Sequence, residues 1–453
     1  MDGSTPPPHK DTTPIRPDFI PASDYVSPDV LKLEKERMWP HVWQIACREE
    51  EIPKVGDFVN YKIFDESILI TRTAPDRIKA FYNVCQHRGR RLRDEERGHA
   101  GQFYCRFHGW RYSLDGALTY VHDREDWNGC PQFKDEELSL KEVKVDSWAG
   151  WLWINQDPDS PSLKDYLGVV PEVLDPFEFE TARMAWRHTI IAPVNWKVVA
   201  EAFNEGYHAA ATHTTGIRYG GGKSPGVAHG DHSMFFSIGG GDDPLEYLDP
   251  ESGVWLPAGS VAEAIWAGNR HVHRTLLAMT LEPGMAASNR LKDETPPETP
   301  PLDVMQRLID LHREELEKRG IAWPQRLTLE TIGRAGTDWH IFPNTIVLPT
   351  IDGALWYRVR PNRDDPDSCI FDIWCLGRYP PGEEPKVVGE ETVGFEAFRG
   401  KNPFLEEDFD NMEAVHLGMK SRGWSAARTN PYQEVQVANF HRALHRYLFD
   451  GAR

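Results

Sequence analysis

The chain has 453 residues, enough for two or three domains with a large core, and its 40% hydrophobic content is ordinary for a globular protein. No apolar run is long enough to cross a bilayer, and a formal net charge of −19 argues against nucleic acid or an anionic membrane as a partner. Residues 1–21 lack the apolar core of a secretory signal, and six cysteines in so long a chain do not suggest a disulfide framework, so we expect a cytoplasmic protein.

The first third of the sequence predicts a tail, one helix and a series of short strands. Residues 1–23 are polar and proline-rich, which is typical of a disordered tail. Ser27 followed by Pro28 indicates a helix start, and the helix extends to about Met38. Five β-prone segments follow between turn-forming residues: 41–46, 58–64, 67–72, 78–83 and 148–155. Residues 40–160 therefore predict a small all-β domain, and we expect residues 1–39 to pack with the domain that follows it.

Two loops of this β region each carry one cysteine and one histidine. The pattern is C-x-H at Cys85 and His87, then C-x-x-H at Cys105 and His108. Two thiolates and two imidazoles suit either zinc or an iron–sulfur centre. Zinc fingers usually place their cysteines together and their histidines together, whereas here the two types alternate. The alternation favours a [2Fe–2S] cluster with cysteines on one iron and histidines on the other, and at this point the chain resembles a Rieske protein.

The remaining cysteines, Cys47, Cys130, Cys369 and Cys375, are predicted to be small buried residues.

Beyond a proline-marked boundary near residue 160, the sequence predicts a larger mixed domain over 161–453. The predicted strands are 184–191, 233–239, 273–282, 340–349, 354–360 and 369–376. The predicted helices are 195–212, 302–319, 402–421 and 431–449, with a glycine-rich loop over 216–242 and a surface loop over 292–301. Strands and helices in separate runs indicate an α+β fold with an antiparallel sheet.

The predicted helix over 195–212 carries Glu205, His208 and His213. Two histidines five residues apart are separated by roughly 140° on a regular helix, so they can share a metal only if the helix bulges or breaks. Glu205 and His208, three apart, share one face. On spacing alone, two unrelated helix histidines are the simpler interpretation.

A third ligand for catalytic ferrous iron would be a carboxylate, giving two histidines and one carboxylate with open positions. The acidic run at 406–413 lies on the predicted helix over 402–421. Glu406, Glu407, Asp410 and Glu413 are predicted to face solvent, while Asp408 falls within the apolar stripe. A carboxylate that points at the core needs a partner or a metal.

Taken together, these motifs resemble the α subunits of Rieske non-haem iron ring-hydroxylating oxygenases. The matching patterns are C-x-H with C-x-x-H-G-W at 85–110, N-W-K with E-A-F-x-E-x-Y-H-x₄-H at 195–213, and D-x-D-N-M-E at 408–413. The resemblance implies a helix-grip (START-like) catalytic domain. It also implies a [2Fe–2S] cluster on the residues of the two loops and a mononuclear Fe(II) on His208, His213 and Asp408. Glu205 would link His208 to the cluster residue His108 of a neighbouring subunit, although the family often has Asp there.

The same resemblance implies a multicomponent system that uses O2. Electrons from NADH would arrive through a separate reductase and possibly a ferredoxin, and subunits would form head-to-tail trimers, in some members with an added β subunit. The implied activity is dihydroxylation or monohydroxylation of an aromatic or similar hydrophobic small molecule. Oxidative demethylation remains open, as does a pure electron-transfer Rieske protein, which would need no second iron.

Two further groups of residues are of interest. Arg88, Arg90, Arg91 and Arg93 crowd the first cluster loop, where they could dock an acidic electron donor or brace the loop through Asp94 and Glu95. Candidate pocket residues are Phe342, Leu348, Phe404 and Phe409, for each of which core packing is the simpler interpretation.

Overall fold

The computed structural model describes residues 19–218, 222–238, 245–249 and 251–451. The predicted tail up to residue 18 and parts of the predicted glycine-rich loop lie outside the described residues. The chain divides into two compact units, one comprising Glu34–Tyr166 and the other comprising the residues up to Leu33 and those from Leu167 onward.

The strands of the described residues are, in chain order, β1 (Ile20–Pro21), β2 (Gln44–Arg48), β3 (Asp57–Ile63), β4 (Glu66–Ala74), β5 (Arg77–Tyr82), β6 (Arg97–His99), β7 (Phe103–Tyr104), β8 (Arg111–Tyr112), β9 (Leu118–Tyr120), β10 (Glu142–Trp148), β11 (Trp151–Asn155), β12 (Arg183–Ala192), β13 (Ile217–Arg218), β14 (Gly226–His229), β15 (His232–Phe235), β16 (Glu246–Leu248), β17 (Trp255–Pro257), β18 (Asp338–Ile341), β19 (Thr345–Pro349), β20 (Gly353–Asn362), β21 (Asp365–Gly377), β22 (Glu390–Val393) and β23 (Ala426–Ala427).

The α-helices of the same residues are α1 (Ser23–Val26), α2 (Pro28–Arg37), α3 (Asp135–Leu138), α4 (Leu163–Leu167), α5 (Val170–Leu174), α6 (Trp196–Ala202), α7 (Ala209–Thr212), α8 (Val261–Thr275), α9 (Glu282–Glu294), α10 (Pro301–Lys318), α11 (Leu329–Ala335), α12 (Pro403–Met419) and α13 (Val435–His445). Among the residues with assigned positions, no helix is both long and apolar enough to span a bilayer.

The smaller unit is built on an antiparallel sheet of order β2-β11-β10-β5-β4-β3-β6. Every residue of β2 and β11 is buried. A second small sheet, β7-β8-β9, packs beside the loops that carry the paired cysteines and histidines. The smaller unit is therefore all-β apart from short helical turns, as predicted.

The larger unit is built on an eight-stranded sheet of order β14-β15-β18-β19-β20-β21-β12-β22. All its neighbouring strands run antiparallel except β12 and β22. Helix α6 covers β20 and β21, where Phe203 packs 4.6 Å from the Tyr357 ring and 5.2 Å from the Phe371 ring. The predicted α+β fold class with an antiparallel catalytic sheet is thereby confirmed.

Helix α13 is fixed to two other segments by a buried histidine. His441 Nδ1 lies 3.1 Å from Asp24 Oδ2 in α1, and its Nε2 lies 2.6 Å from Glu201 Oε1 in α6. The Tyr25 hydroxyl donates to the other oxygen of Glu201 at 3.0 Å, and His445 Nε2 lies 2.6 Å from Asp24 Oδ2. We call these five residues the His441 cluster.

Several element predictions were wrong. The segment over 273–282 is not a strand. Helix α8, whose N-terminus Ser260 caps by accepting from the Glu263 N–H at 3.1 Å, extends to Thr275, and a turn then leads to α9, which begins at Glu282. The first residues of the predicted surface loop over 292–301 are helical, since α9 ends at Glu294. The glycine-rich segment contains β13, β14 and β15, and the predicted strands over 148–155 and 340–349 are each interrupted by a turn. Cys130 is exposed rather than buried, whereas Cys47, Cys369 and Cys375 are buried as predicted.

Candidate metal centres

The two Cys/His loops of the smaller unit share one backbone hydrogen-bond pattern. The carbonyls of Cys85 and Cys105 each accept, at 3.0 Å, from the N–H of a glycine four positions on, Gly89 and Gly109. Each cysteine N–H also donates to the carbonyl five positions on, at 2.9 Å and 2.8 Å respectively. Both glycines have a positive φ, 75° and 78°, where a side chain would be strained. The two loops are thus matched tight turns that present their cysteines side by side.

The histidines of these loops complete a donor set that fits an iron–sulfur cluster. The His87 and His108 rings lie 4.6 Å apart. Their Nδ1 atoms are buried and have no hydrogen-bond partner among the described residues. Because an unsatisfied buried nitrogen is costly, both atoms are suited to bind a group held between the loops. Two thiols and two such nitrogens are the ligands that a Rieske [2Fe–2S] cluster requires.

Aromatic side chains surround the cysteines and histidines. The His87 ring stacks on Trp110 at 4.8 Å with an interplanar angle of 7°. The Tyr112 hydroxyl lies 3.4 Å from Cys85 Sγ and accepts from the Gln86 N–H at 3.1 Å. A hydroxyl beside a ligating sulfur is one way in which a protein sets the potential of a cluster. Sequence reasoning missed Tyr112, because a tyrosine that follows the motif carries no signal of its own.

The arginines of the first loop make different contacts. Arg90 pairs with Asp94 at 3.3 Å, which is the bracing interaction predicted as one alternative. Arg91 and Arg93 donate to backbone carbonyls at 3.2 Å and 3.3 Å. The Arg88 guanidinium lies 5.2 Å from the centroid of an exposed phenylalanine ring. Bracing is therefore confirmed for Arg90, and docking of a donor stays a prediction.

In the larger unit, the predicted helix over 195–212 is broken. Asn195 caps α6 as predicted, its side chain accepting from the Lys197 N–H at 3.0 Å, but α6 ends at Ala202. A turn then leads to the one-turn helix α7, with His208 just before its first residue and His213 just after its last. The helix thus breaks ahead of His208 and ends at His213, and the rings of these two residues lie 5.3 Å apart on either side of α7.

His208, His213 and Asp408 meet at one point. His208 Nε2 and His213 Nε2 each lie 3.4 Å from Asp408 Oδ1. Two ligands at about 2.1 Å from one metal ion are separated by about 3 Å, so these distances match a shared ion. Asp408 is 4% exposed and lies on the buried stripe of α12, as the helical pattern predicts. The structure thus brings together the three residues that the family resemblance implies as iron ligands.

A carboxylate stands behind each histidine. His208 Nδ1 lies 2.8 Å from Glu205 Oε1, and His213 Nδ1 lies 2.9 Å from Glu407 Oε2. Because a carboxylate only accepts, each Nδ1 carries a proton, and in the neutral imidazole each Nε2 then presents a lone pair. With both imidazoles neutral and Asp408 ionised, three lone-pair atoms converge at this point. Such an arrangement fits a bound cation, and carboxylate-oriented histidines are typical of metal ligands.

The protonation of these groups follows from burial and from their neighbours. Burial raises the pKa of Asp408 to about 7, a shift that the nearby His208 opposes. Burial lowers the pKa of His213 to about 3, so its imidazole is neutral, the form that binds metals. Burial would also lower the pKa of His208, but the hydrogen bond and charge of Glu205 outweigh it and raise that pKa. A bound divalent ion would hold Asp408 ionised.

Glu407 was predicted to face solvent, and this was wrong. Its side chain is 12% exposed and also accepts from the Thr215 hydroxyl. The helical pattern alone could not reveal this, because Glu407 lies at the edge of the buried stripe and meets a loop rather than the sheet.

The candidate pocket residues differ in their positions. Phe404 stacks on His213, with ring centroids 3.8 Å apart. Phe409 lies in an aromatic cluster with Phe371, Phe395 and Phe398, so core packing describes it. Phe342 packs against α13, and Leu348 is half-buried near the end of β19.

Comparison with known proteins supports both centres. Residues 42–133 match the model of the Rieske [2Fe–2S] domain, and residues 179–450 match that of the ring hydroxylating α subunit (catalytic domain). Together they define an iron–sulfur protein with a separate mononuclear iron domain. The chain belongs to the family of ring-hydroxylating oxygenase α subunits.

Relatives of this chain differ in what their names say they oxidise. The large oxygenase component of the naphthalene 1,2-dioxygenase system of Pseudomonas aeruginosa is 30% identical over 86% of this chain and 78% of its own length. The oxygenase subunit of glycine betaine monooxygenase from P. aeruginosa strain UCBPP-PA14 is 30% identical over 43% of this chain. That alignment spans 44% of the relative's length.

Solved structures share the fold. The apo form of a quaternary ammonium Rieske monooxygenase, CntA, superposes with a TM-score of 0.61 at 19% identity, covering 95% of this chain and 96% of the other.

Proposed function

We propose that this chain is the terminal oxygenase component of a multicomponent system, using O2 and electrons from NADH to oxidise a small organic molecule. The convergence of three lone-pair atoms from His208, His213 and Asp408 carries the proposal. A pure electron carrier needs no such second centre. When bound there, ferrous iron would supply the activation of O2 through its open coordination positions.

The residues around this iron site have defined roles in the proposal. His208, His213 and Asp408 hold the iron, while Glu205 and Glu407 fix the two imidazoles in the ligating tautomer. Cys85, His87, Cys105 and His108 hold the [2Fe–2S] cluster. We assign residues 40–160 to the cluster domain and 161–453 to the catalytic domain, with 1–39 as a tail and helix that accompany the latter.

Iron analysis tests this assignment. We expect about three irons and about two acid-labile sulfides per chain, with the visible bands and reduced-state EPR signal of a Rieske cluster. Asp408→Ala should lower the iron content to about two and abolish turnover, while leaving those spectra intact. Cys85→Ala should instead remove the visible bands and the EPR signal of the cluster. An Asp408→Ala protein that keeps all its iron would refute the assignment.

We propose that Glu205 also carries electrons between subunits of a head-to-tail trimer, by linking His208 to His108 of a neighbouring subunit. Its hydrogen bond to His208 supports one half of that link. Glu205→Gln should keep both metal centres and normal reduction of the cluster. Oxidation of the reduced cluster in a single turnover with substrate and O2 should slow by at least about tenfold. Unchanged single-turnover kinetics would contradict the bridge.

We further propose an NADH-dependent reductase, with or without a ferredoxin, as the electron donor. Since NADH is a reductant of the cytoplasm, this favours a cytoplasmic location. Arg91 is exposed, and its guanidinium donates to the Asp65 carbonyl and interacts with the charge of the Asp65 carboxylate, so an acidic donor would have to compete with Asp65 there. Arg91→Glu should slow cluster reduction and weaken its dependence on ionic strength, whereas Arg90→Glu, next to Asp94, also disturbs the loop. Identical salt dependence in Arg91→Glu and wild type would exclude docking there.

Two substrate classes are candidates for the iron site. The naphthalene dioxygenase relative favours ring hydroxylation of an aromatic compound, either as dihydroxylation or as monohydroxylation. The glycine betaine relative favours oxidation next to a quaternary nitrogen, which leads to demethylation. Coupled NADH and O2 consumption with a reductase, measured over a panel of both classes with products identified, distinguishes them.

A further inference from the structure

One buried carboxyl group of the larger unit has an oxygen without a hydrogen-bond partner among the described residues. Asp338 in β18 is 2% exposed, and its Oδ1 has no hydrogen-bond partner within the described parts of the chain. Burial raises the pKa of Asp338 well above its usual range. Most buried acids are paired or bound to a cation, since a lone buried charge is costly. Within the described residues, no hydrogen-bond donor or cation therefore compensates the burial of Asp338 Oδ1.

The sheet register shows which way Asp338 points. Directly paired residues of an antiparallel sheet share one face, and so do residues two apart along a strand. Asp338 pairs with Phe235 in β15. His340, two positions on, pairs with Ile346, which in turn pairs with Tyr357 in β20. Asp338, Phe235 and Tyr357 thus project from the same face of the sheet.

This face is the one covered by the metal-bearing segment. The Tyr357 ring lies 4.6 Å from the ring of Phe203, which directly follows α6. Gly206, between Glu205 and His208 in sequence, lies so close to the Phe235 ring that a Cβ there would be 3.2 Å from it. The segment over 203–208 therefore packs on the part of the sheet from which Asp338 projects.

Asp338 and Asp408 both influence the pKa of Tyr357. Burial raises the pKa of Tyr357 well above its usual range, and the charges of Asp408 and then Asp338 raise it further. One buried tyrosine is thus within electrostatic range of both the iron ligand and the lone carboxyl group. The rings of Tyr357, Phe203 and Phe371 lie 4.6 to 5.3 Å from one another on this side of the sheet.

We propose that Asp338 is a specificity-determining residue that binds a cationic, alkylated nitrogen of the substrate beside the iron site. This inference rests on the proposed function and selects the second substrate class. A bound cation favours the ionised form of a neighbouring carboxyl group, even one whose pKa burial has raised. Beside aromatic faces, such a group suits an ammonium group without N–H donors, since the rings attract the cation and the carboxylate balances its charge. A neutral aromatic hydrocarbon would leave Asp338 without a partner.

The test compares trimethylammonium compounds with their neutral tert-butyl isosteres, which have nearly the same shape. Suitable pairs are choline with 3,3-dimethylbutan-1-ol, glycine betaine with 3,3-dimethylbutanoate, and phenyltrimethylammonium with tert-butylbenzene. Dissociation constants are measured by calorimetry for the wild-type holoenzyme, for Asp338→Asn and for Glu391→Gln. The last variant removes a charge from an exposed position of β22 in the same sheet.

We expect at least one cation to bind the wild type at least tenfold more tightly than its isostere. Asp338→Asn should lose that preference, while Glu391→Gln should retain it. Equal binding of cations and isosteres to the wild type would overturn the proposal, as would an unchanged preference in Asp338→Asn.

Metal content and cluster spectra are recorded for each protein in the same experiment. A wild type with about three irons per chain but no preference for cations refutes the role of Asp338 alone. A wild type without mononuclear iron refutes the proposed function, whatever the binding result. Asp338→Asn nearly preserves the shape of the side chain, and intact spectra establish that a lost preference does not reflect unfolding.

Discussion

At the scale of single residues, the iron site depends on side chains that do not touch the metal position. Glu205 and Glu407 each hold a histidine by its Nδ1 and so decide which nitrogen faces Asp408. Without such a partner an imidazole can turn or change tautomer, and it then ceases to be a preorganised ligand. The two glutamates therefore affect metal affinity without contributing a ligand.

Glu407→Gln should lower the affinity for ferrous iron by about 10- to 100-fold, because the amide no longer carries the charge that orients His213. Iron titration of the metal-depleted protein measures this, with the cluster spectrum as an internal standard. The matched control is Glu413→Gln, on the exposed face of the same helix. Equal iron affinity in the two variants would contradict the role of Glu407.

The sequence predicted the proposed metal ligands better than the residues that support them. Asp408 was identifiable because a carboxylate in an apolar helical stripe is anomalous. Glu407 and Tyr112 were missed because each contacts a residue on a loop that is distant in sequence, and no periodic pattern indicates such a contact. Asp338 likewise gave no signal, since one acid at the start of a strand is unremarkable until the sheet register is known.

The His441 cluster makes stability depend on pH. Burial alone would lower the pKa of His441, but Glu201 and Asp24 outweigh it and raise that pKa. Tyr25 and His445 are the other groups of the cluster near this ring. The stabilisation is then complete below the unfolded pKa of about 6.5 and is lost as the pH rises through the higher folded value.

His441→Gln should be less stable than the wild type at pH 6 by about 3 kcal/mol, because the acids lose their buried cation. The difference should shrink as the pH rises to 9. Urea unfolding at several pH values measures it, and His122→Gln, at a surface position, is the control. A difference that is constant with pH would show that His441 acts only through packing.

At the scale of elements, the break between α6 and α7 leaves a one-turn helix with the proposed ligands His208 and His213 at its two ends. A continuous helix would separate His208 and His213 by roughly 140°. The sequence allowed the break but did not locate it. Helix propensity is a local property, and it contains no information about the close approach of Gly206 to Ser224 and Phe235. Capping signals were more reliable, as at Asn195 and Asn402, each of which begins a helix.

Gly206→Ala should displace the segment over 203–208, because its Cβ would overlap the side chain of Ser224. We expect reduced iron occupancy and turnover with an intact cluster spectrum. Gly418→Ala provides the contrast, since its Cβ would meet nothing within 4 Å in α12, where alanine should stabilise the helix by about 0.5–1 kcal/mol. Full iron occupancy in Gly206→Ala would refute the tight fit.

At the scale of the whole molecule, the division of the chain into two units separates the two metal centres in sequence. The loops proposed to hold the cluster lie within Glu34–Tyr166, and the proposed iron ligands lie beyond Leu167. The fold class of each unit was predictable, since alternating β segments and the capped helices leave strong periodic signals. Such periodic patterns do not predict how subunits assemble, so the trimer stays a proposal.

Mixed oligomers test the proposed transfer between subunits. Cys85→Ala lacks the cluster and Asp408→Ala lacks the iron, so each should be inactive alone. Refolded or co-expressed together, they should regain a substantial fraction of wild-type turnover, because a cluster of one chain can serve the iron of its neighbour. A mixture that shows neither activity nor substrate-dependent O2 consumption would contradict electron transfer between chains.

The His441 cluster also has a consequence for biosynthesis. It joins positions 417 residues apart, since Asp24 and His441 are partners, and His441 also contacts Glu201 in α6, the helix that precedes His208. A polypeptide emerging from the ribosome cannot close this contact until α13 has been made. The hydrogen bonds that hold α6, the helix before His208, are therefore completed only after α13 has been translated.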